Sequence, residues 1–212
     1  MTDQVQDLIG TLSAQLRPVQ RLRPPVWRAA GWLLSALLFS GLVTSRVDMG
    51  AAWVRFTMLP DLGWTLAGAL LTAILAAIAA FELSLPDRRG SWALLPWPAA
   101  ALWLAASGWG CLRTYGLPGL APATAMDGVG CMGIILGISL PLSGLLLVLL
   151  RRARPFRPGL VALTGGLAAA AAAAAALTFL HPHDASAIDM LMHVVAIAAV
   201  LAMVRLWGGR VL

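Results

Sequence analysis

Six apolar runs, each close to 20 residues long, dominate the sequence. They lie at about 27–45, 62–85, 91–109, 129–150, 159–180 and 189–207. A helix needs about 20 predominantly apolar residues to cross the hydrocarbon core of a bilayer. The composition agrees, because 60% of the residues are hydrophobic and only 11% are charged, far from the mixture that is usual in a soluble domain. The sequence therefore predicts an all-α polytopic membrane protein with six transmembrane helices.

The segment 151–158 between the fourth and fifth runs holds four arginines in eight residues. Charges are costly in hydrocarbon, so this segment must lie at a membrane surface. Basic loops of inner-membrane proteins stay on the cytoplasmic side. With this loop inside, twelve of the 15 basic residues are cytoplasmic, and only Arg46, Arg55 and Arg113 are outside. We predict an inner-membrane protein with both termini in the cytoplasm. Its outer loops are then 46–61, 110–128 and 181–188.

The net charge of +6 follows from these topology signals, so it does not indicate nucleic-acid binding. The arginines at positions 17, 21, 23 and 28 follow the amino-terminal residues together with three prolines. Their simplest interpretation is an anchor in the lipid headgroups.

Residues 4–16 predict a short amphipathic helix that ends before Pro18. Its polar face carries two aspartates and no basic residue, whereas helices that lie on membranes usually carry Lys or Arg. This favours a protein partner over lipid or packing on the chain's own bundle. The candidate partner-binding residues are Val5, Leu8, Ile9, Leu12 and Leu16. We divide the chain into a cytoplasmic partner-binding segment (1–26), a transmembrane bundle (27–207) and a tail (208–212).

Small residues within the runs predict close helix packing. They are Gly63, Gly68, Gly165, Gly166 and the alanines of 168–176. The fifth run is weakly hydrophobic and should lie inside the bundle; oligomerisation is left open. Glu82 should pair with Arg88 or Arg89. No run carries a charge near its middle, which argues against an ion-coupled transporter, and no nucleophile and base pair or phosphate loop indicates an enzyme.

Cys111 and Cys131 are predicted at the outer ends of the third and fourth runs. They could be inert buried thiols, and three other interpretations stay open. They could form a structural disulfide. They could be accessible thiols that sense oxidants or electrophiles. They could also bind a soft metal such as Cu(I), or Zn(II), with His181 or His183. The sequence predicts no resident cofactor, with Cu or Zn considered only as a signal.

Features along nearly the whole chain form one pattern. They are the opening helix with its Arg/Pro-rich exit, the six runs, Cys131 at the head of the fourth run, Ser139-Leu140-Pro141 within it, the 151–158 segment, and a Gly/Ala-rich fifth run that ends at Leu180-His181. This pattern resembles the NrsF-like (negative regulator of sigma F) anti-sigma factors of bacterial inner membranes. Cys131 matches one cysteine of that family, while Pro182 stands where the family usually has a second.

The resemblance implies a membrane protein that holds an extracytoplasmic-function sigma factor and releases it on an envelope stress signal, with cysteines implicated in sensing. The alternative hypothesis is a small transporter or metal-handling membrane protein that uses the outward Cys, His and Met residues. A third is an assembly subunit of a larger membrane complex.

Overall fold

The computed structural model describes residues 2–16, 22–45, 47–116, 125–180 and 187–212. Within these residues the chain is all-helical, as predicted, and contains no strand. The helices are α1 (Thr2–Ala14), α2 (Pro25–Thr44), α3 (Met49–Met58), α4 (Pro60–Leu83), a 3₁₀ helix (Gly90–Leu94), α5 (Trp97–Gly116), α6 (Ala125–Arg151), α7 (Pro158–Leu180) and α8 (Ala187–Val211).

Five helical segments in the described part of the chain are long and apolar enough to cross a membrane. They are Pro25–Thr44, Pro60–Leu83, Val129–Arg151, Pro158–Leu180 and Met190–Gly208. The sixth predicted span, 91–109, corresponds to α5. This helix has 20 residues but is less apolar than the five segments above. Pro96 and Pro98 lack the N–H donors of a helix interior and are tolerated at its start. The helix therefore begins at Trp97, six residues later than predicted, and continues to Gly116.

The segment 46–61, predicted as a loop, contains the ten-residue helix α3. Asp48 caps its amino terminus, because Oδ1 accepts hydrogen bonds from the N–H groups of Gly50 at 2.9 Å and Ala51 at 3.3 Å. The ring of Phe56 lies 5.4 Å from that of Phe179, between centroids. Since Phe179 is near the carboxyl end of α7, α3 packs over that end of the bundle.

The alanine-rich helix α7 lies at the centre of the bundle. It packs against α2, α4, α6 and α8, and nearly all its alanines from Ala168 to Ala176 are buried. Small side chains let neighbouring helices approach closely, so the predicted interior position of this helix is confirmed. Gly68 plays the same role between α4 and α5, where it lies against the backbone of Trp103. Gly63, by contrast, faces open space, so the packing role predicted for it is wrong.

Arg28 joins three helices at one end of the bundle. Its Nη2 donates to the carbonyl oxygen of Leu149 at 2.9 Å, and its Nη1 donates to Ser84 Oγ at 3.4 Å. Its guanidinium carbon lies 5.0 Å from the centre of the Phe81 ring. The Leu149 carbonyl belongs to the last turn of α6, where carbonyl groups have no partner within the helix. Arg28 therefore binds inside the bundle, and its interpretation as a headgroup anchor is wrong.

The loops that follow α4 and α6 lie at this same end. The guanidinium group of Arg157 occupies the space beside Gly90 where a side chain would stand. Arg88 Nε lies 2.9 Å from Glu82 Oε2, in an ion pair that lacks hydrogen-bond geometry. This confirms the predicted Glu82 pairing. We call this end, defined by Arg28, Glu82, Gly90 and Arg157, the arginine end.

Candidate partner-binding helix and polar cavity

The predicted amino-terminal helix is present as α1, although it ends at Ala14 and leaves Leu16 beyond its last turn. The side chains of residues 3–16 are all exposed. On the apolar face, Val5, Leu8, Ile9 and Leu12 are 52–58% exposed. On the polar side, Thr11 Oγ1 donates a hydrogen bond to the carbonyl of Asp7 at 2.9 Å, so this hydroxyl has its partner within the helix. The structure thus presents an apolar stripe that the bundle does not cover.

The two cysteines occupy different surroundings. Cys111 is partly buried near the carboxyl end of α5, and Cys131 is 3% exposed in the main apolar core. The two thiols are not linked to each other. Cys131 lies in the second turn of α6, which begins at Ala125, and near the start of the apolar segment Val129–Arg151. Cys111 likewise lies within α5, which continues to Gly116.

The predicted metal ligands His181 and His183 lie outside the described residues. Among the residues that are described, no three His, Cys, Asp or Glu side chains gather closely enough to hold a metal ion. The candidate metal site of Cys131, His181 and His183 therefore stays a prediction.

An ion pair that the sequence did not reveal links α4 and α5 at the end opposite the arginine end. Arg113 Nη2 lies 3.0 Å from Asp61 Oδ1 and donates a 3.2 Å hydrogen bond to Oδ2. Both side chains are mostly buried, with 29% and 15% exposure. A side chain at Gly110 would stand 2.7 Å from Asp61 Oδ2, so the glycine makes room for the carboxylate. The two residues are 52 positions apart, and the only sequence signal was that Arg113 is one of few basic residues on its side.

A cavity of about 130 Å³ opens beside this ion pair, between α4, α5, α7 and α8. Arg55 of α3 and His193 of α8 also line it. Most of the wall is apolar and includes Trp103, Leu177 and Ile197. The end of the bundle opposite the arginine end thus combines charged groups with an apolar chamber.

Comparison with known proteins identifies the family of this chain. The family model described as "NrsF: Negative regulator of sigma F" matches residues 12–212. The chain belongs to the NrsF family. The resemblance predicted from the sequence is confirmed, and NrsF is a family of regulators rather than a class of enzymes. Neither the curated proteins nor the solved structures contain a significant match to the chain.

The match to NrsF begins at residue 12, near the end of α1. Leu12 and Leu16 lie inside it, whereas Val5, Leu8 and Ile9 precede it. Most of the exposed apolar stripe is therefore outside the part of the chain that the family model covers.

Proposed function

We propose that this protein is an inner-membrane anti-sigma factor that holds an extracytoplasmic-function sigma factor through residues 1–26. The observation that carries this proposal is the uncovered apolar stripe of α1 on a chain that belongs to a family of negative regulators of a sigma factor. In this account the stripe covers a surface of the sigma factor that RNA polymerase would otherwise bind.

The physical case for a protein partner rests on the marginal stability of α1. An isolated helix of 13 residues is barely stable in water, because its nucleation cost is spread over few hydrogen bonds. An amphipathic helix gains that stability when its apolar face enters a groove on a partner. Helix α1 carries two negative charges, on Asp3 and Asp7, and no basic residue. This favours a protein groove over an anionic lipid surface.

The arginine end supports a cytoplasmic position for both termini. Arg28, which lies just after the partner-binding segment, contacts the ends of α4 and α6, and Arg157 contacts the loop after α4. These contacts place the segments with most of the arginines together, as the positive-inside rule favours. We infer six crossings, with α5 as the least apolar, and with exposed arginines such as Arg23 near anionic headgroups. Formation of oligomers through the bundle is compatible with this arrangement.

In this account the release signal, redox or metal in nature, arrives at the outer side. Cys111 and Cys131 lie on α5 and α6, so a change at either thiol would act on helices that run back to the arginine end. An impermeant maleimide added outside intact cells should label Cys111, and it should leave a Cys111→Ser, Arg152→Cys double variant unlabelled. The reverse pattern would contradict the proposed orientation.

The partner role is tested by two triple variants of α1 that add the same charge. The stripe variant is Leu8→Asp, Ile9→Asp and Leu12→Asp. The matched control places three aspartates on the other face: Gln6→Asp, Thr11→Asp and Ala14→Asp. The readout is the fraction of the cognate sigma factor that sediments with membranes, together with expression of its regulon.

We expect the stripe variant to release the sigma factor into the soluble fraction and to raise the regulon, while the control variant retains it. If the sigma factor stays with the membrane in the stripe variant, the proposal fails. Metal accumulation that depends on Cys131 and survives deletion of residues 1–20 would instead favour the transporter or metal-handling alternative.

A further inference from the structure

The cavity beside Asp61 and Arg113 has charged groups in its wall that suit an anion. Arg55 and Arg113 contribute two guanidinium groups, and Asp61 contributes one carboxylate. An arginine guanidinium is charged at any physiological pH. Among the described residues of the wall, guanidinium groups therefore outnumber carboxylates two to one.

Asp61 leaves much of the Arg113 guanidinium without an anionic partner. Both oxygens of the carboxylate meet the same nitrogen, Nη2, at 3.0 and 3.2 Å. Nε of Arg113 is buried and has no hydrogen-bond acceptor among the described residues. A buried donor without a partner is destabilising, and an acceptor from a ligand removes that cost. Arginine suits a carboxylate well, because its planar fork can donate two parallel hydrogen bonds.

The apolar wall restricts the ligand further. Leu177 and Ile197 offer no hydrogen bonds, and Trp103 offers only its indole N–H, so a small inorganic anion would leave most of the apolar wall without a contact. A water molecule needs about 10–15 Å³ of such volume, so the cavity of about 130 Å³ suits a ligand with on the order of ten heavy atoms. We propose that this cavity binds a small amphipathic monocarboxylate, with its carboxylate at Arg113 and its alkyl part against the apolar wall.

This site is separate from α1, and it does not depend on the proposed function. Binding is therefore measured on the full chain alone, without a sigma factor. The protein is placed in nanodiscs of phosphatidylcholine, and sodium hexanoate is titrated with saturation-transfer NMR as the readout. Hexan-1-ol and hexylammonium, which have the same alkyl chain, serve as neutral and cationic comparisons.

We expect saturable binding of hexanoate and none of hexylammonium. Arg113→Gln should weaken hexanoate binding at least about ten-fold, because it removes the charged donor. Asp61→Asn should strengthen it, because the competing carboxylate is gone. Arg205→Gln is the matched control: it is exposed and lies about 18 Å along α8 from His193, so it should leave the affinity unchanged.

Arg113→Gln alone leaves Asp61 without its ion pair, so the double variant Asp61→Asn with Arg113→Gln is measured as well. Helical circular dichroism shows whether each variant is folded. The proposal is overturned if hexan-1-ol binds as well as hexanoate at the site, or if the folded double variant binds hexanoate like the wild type. A purely structural ion pair predicts weaker or unchanged binding in Asp61→Asn, which would also overturn it.

The carboxylate could arrive from water or from the bilayer, and palmitate in the nanodisc distinguishes the two. If palmitate competes with hexanoate, the natural ligand is a fatty acid that enters from the membrane. If it does not compete, the ligand is a short carboxylate from the aqueous side. Both results support the carboxylate site, provided that hexanoate binding depends on Arg113.

Discussion

Replacing Arg28 by alanine should loosen the arginine end of the bundle. The variant loses the 2.9 Å hydrogen bond to the Leu149 carbonyl, and a charged hydrogen bond of this kind contributes about 1.5–3 kcal/mol. It also loses the contact with the Phe81 ring at 5.0 Å, which adds about 0.5–1 kcal/mol. The 3.4 Å contact with Ser84 is long and adds little. Relief of the desolvation of this partly buried cation offsets part of the loss, so we expect a net decrease of about 1–3 kcal/mol in the free energy of unfolding.

The assay is unfolding of the full chain by sodium dodecyl sulfate in mixed micelles, followed by circular dichroism. Arg23→Ala is the matched control, because Arg23 carries the same charge five residues earlier and is exposed. We expect this control to lie within about 0.5 kcal/mol of the wild type. If Arg28→Ala is no less stable than Arg23→Ala, the reasoning about this residue is refuted.

Two further pairs of variants test the packing of the bundle in the same assay. Gly68→Ala should destabilise it by about 1–3 kcal/mol, because the new Cβ would lie 2.7 Å from backbone atoms of Trp103. Its control, Gly63→Ala, should change the free energy of unfolding little. Equal effects of the two variants would contradict the close approach of α4 and α5. Trp32→Phe should destabilise the bundle by about 0.5–1.5 kcal/mol, because the fully buried side chain loses its 3.0 Å hydrogen bond to a backbone carbonyl of α6. Its control, Trp27→Phe, lies at a residue that is 72% exposed and should change the free energy of unfolding little. A larger effect at Trp27 than at Trp32 would contradict this expectation.

The periodic features of the chain were predictable from sequence. The spacing of Val5, Leu8, Ile9 and Leu12 predicts α1 because side chains three and four positions apart share one helix face. The long apolar runs predict the five helices that are long and apolar enough to span a membrane, because the hydropathy of a span depends only on about 20 consecutive residues. The alanines of 168–176 predict an interior helix, since small side chains bring neighbouring helices close.

Features that depend on distant residues were not predictable. Asp61 and Arg113 pair across 52 positions, and no periodicity connects them. Arg28 resembles Arg17, Arg21 and Arg23 in sequence, and only the position of Leu149 shows that it binds inside the bundle. The start of α5 was placed too early because the apolar run includes a 3₁₀ helix, which hydropathy does not distinguish from an α-helix.

The candidate partner site was also predictable only in part. Sequence predicted which side chains form the apolar stripe of α1, because that depends only on helical spacing. It could not show that the bundle leaves the stripe uncovered, which depends on how the whole chain packs. The cavity beside Asp61 and Arg113 was missed altogether, since its walls come from five helices.

Binding of a sigma factor to the stripe of α1 can be measured directly as an affinity. The full chain in nanodiscs is immobilised, and the purified cognate sigma factor is titrated by biolayer interferometry. Covering the exposed halves of Leu8, Ile9 and Leu12 is worth roughly 3–4 kcal/mol in total, so their replacement by aspartate should weaken binding by at least about 100-fold. The control with aspartates at Gln6, Thr11 and Ala14 should bind like the wild type. Equal affinities for the two triple variants, or no binding by the wild-type chain, would contradict the account.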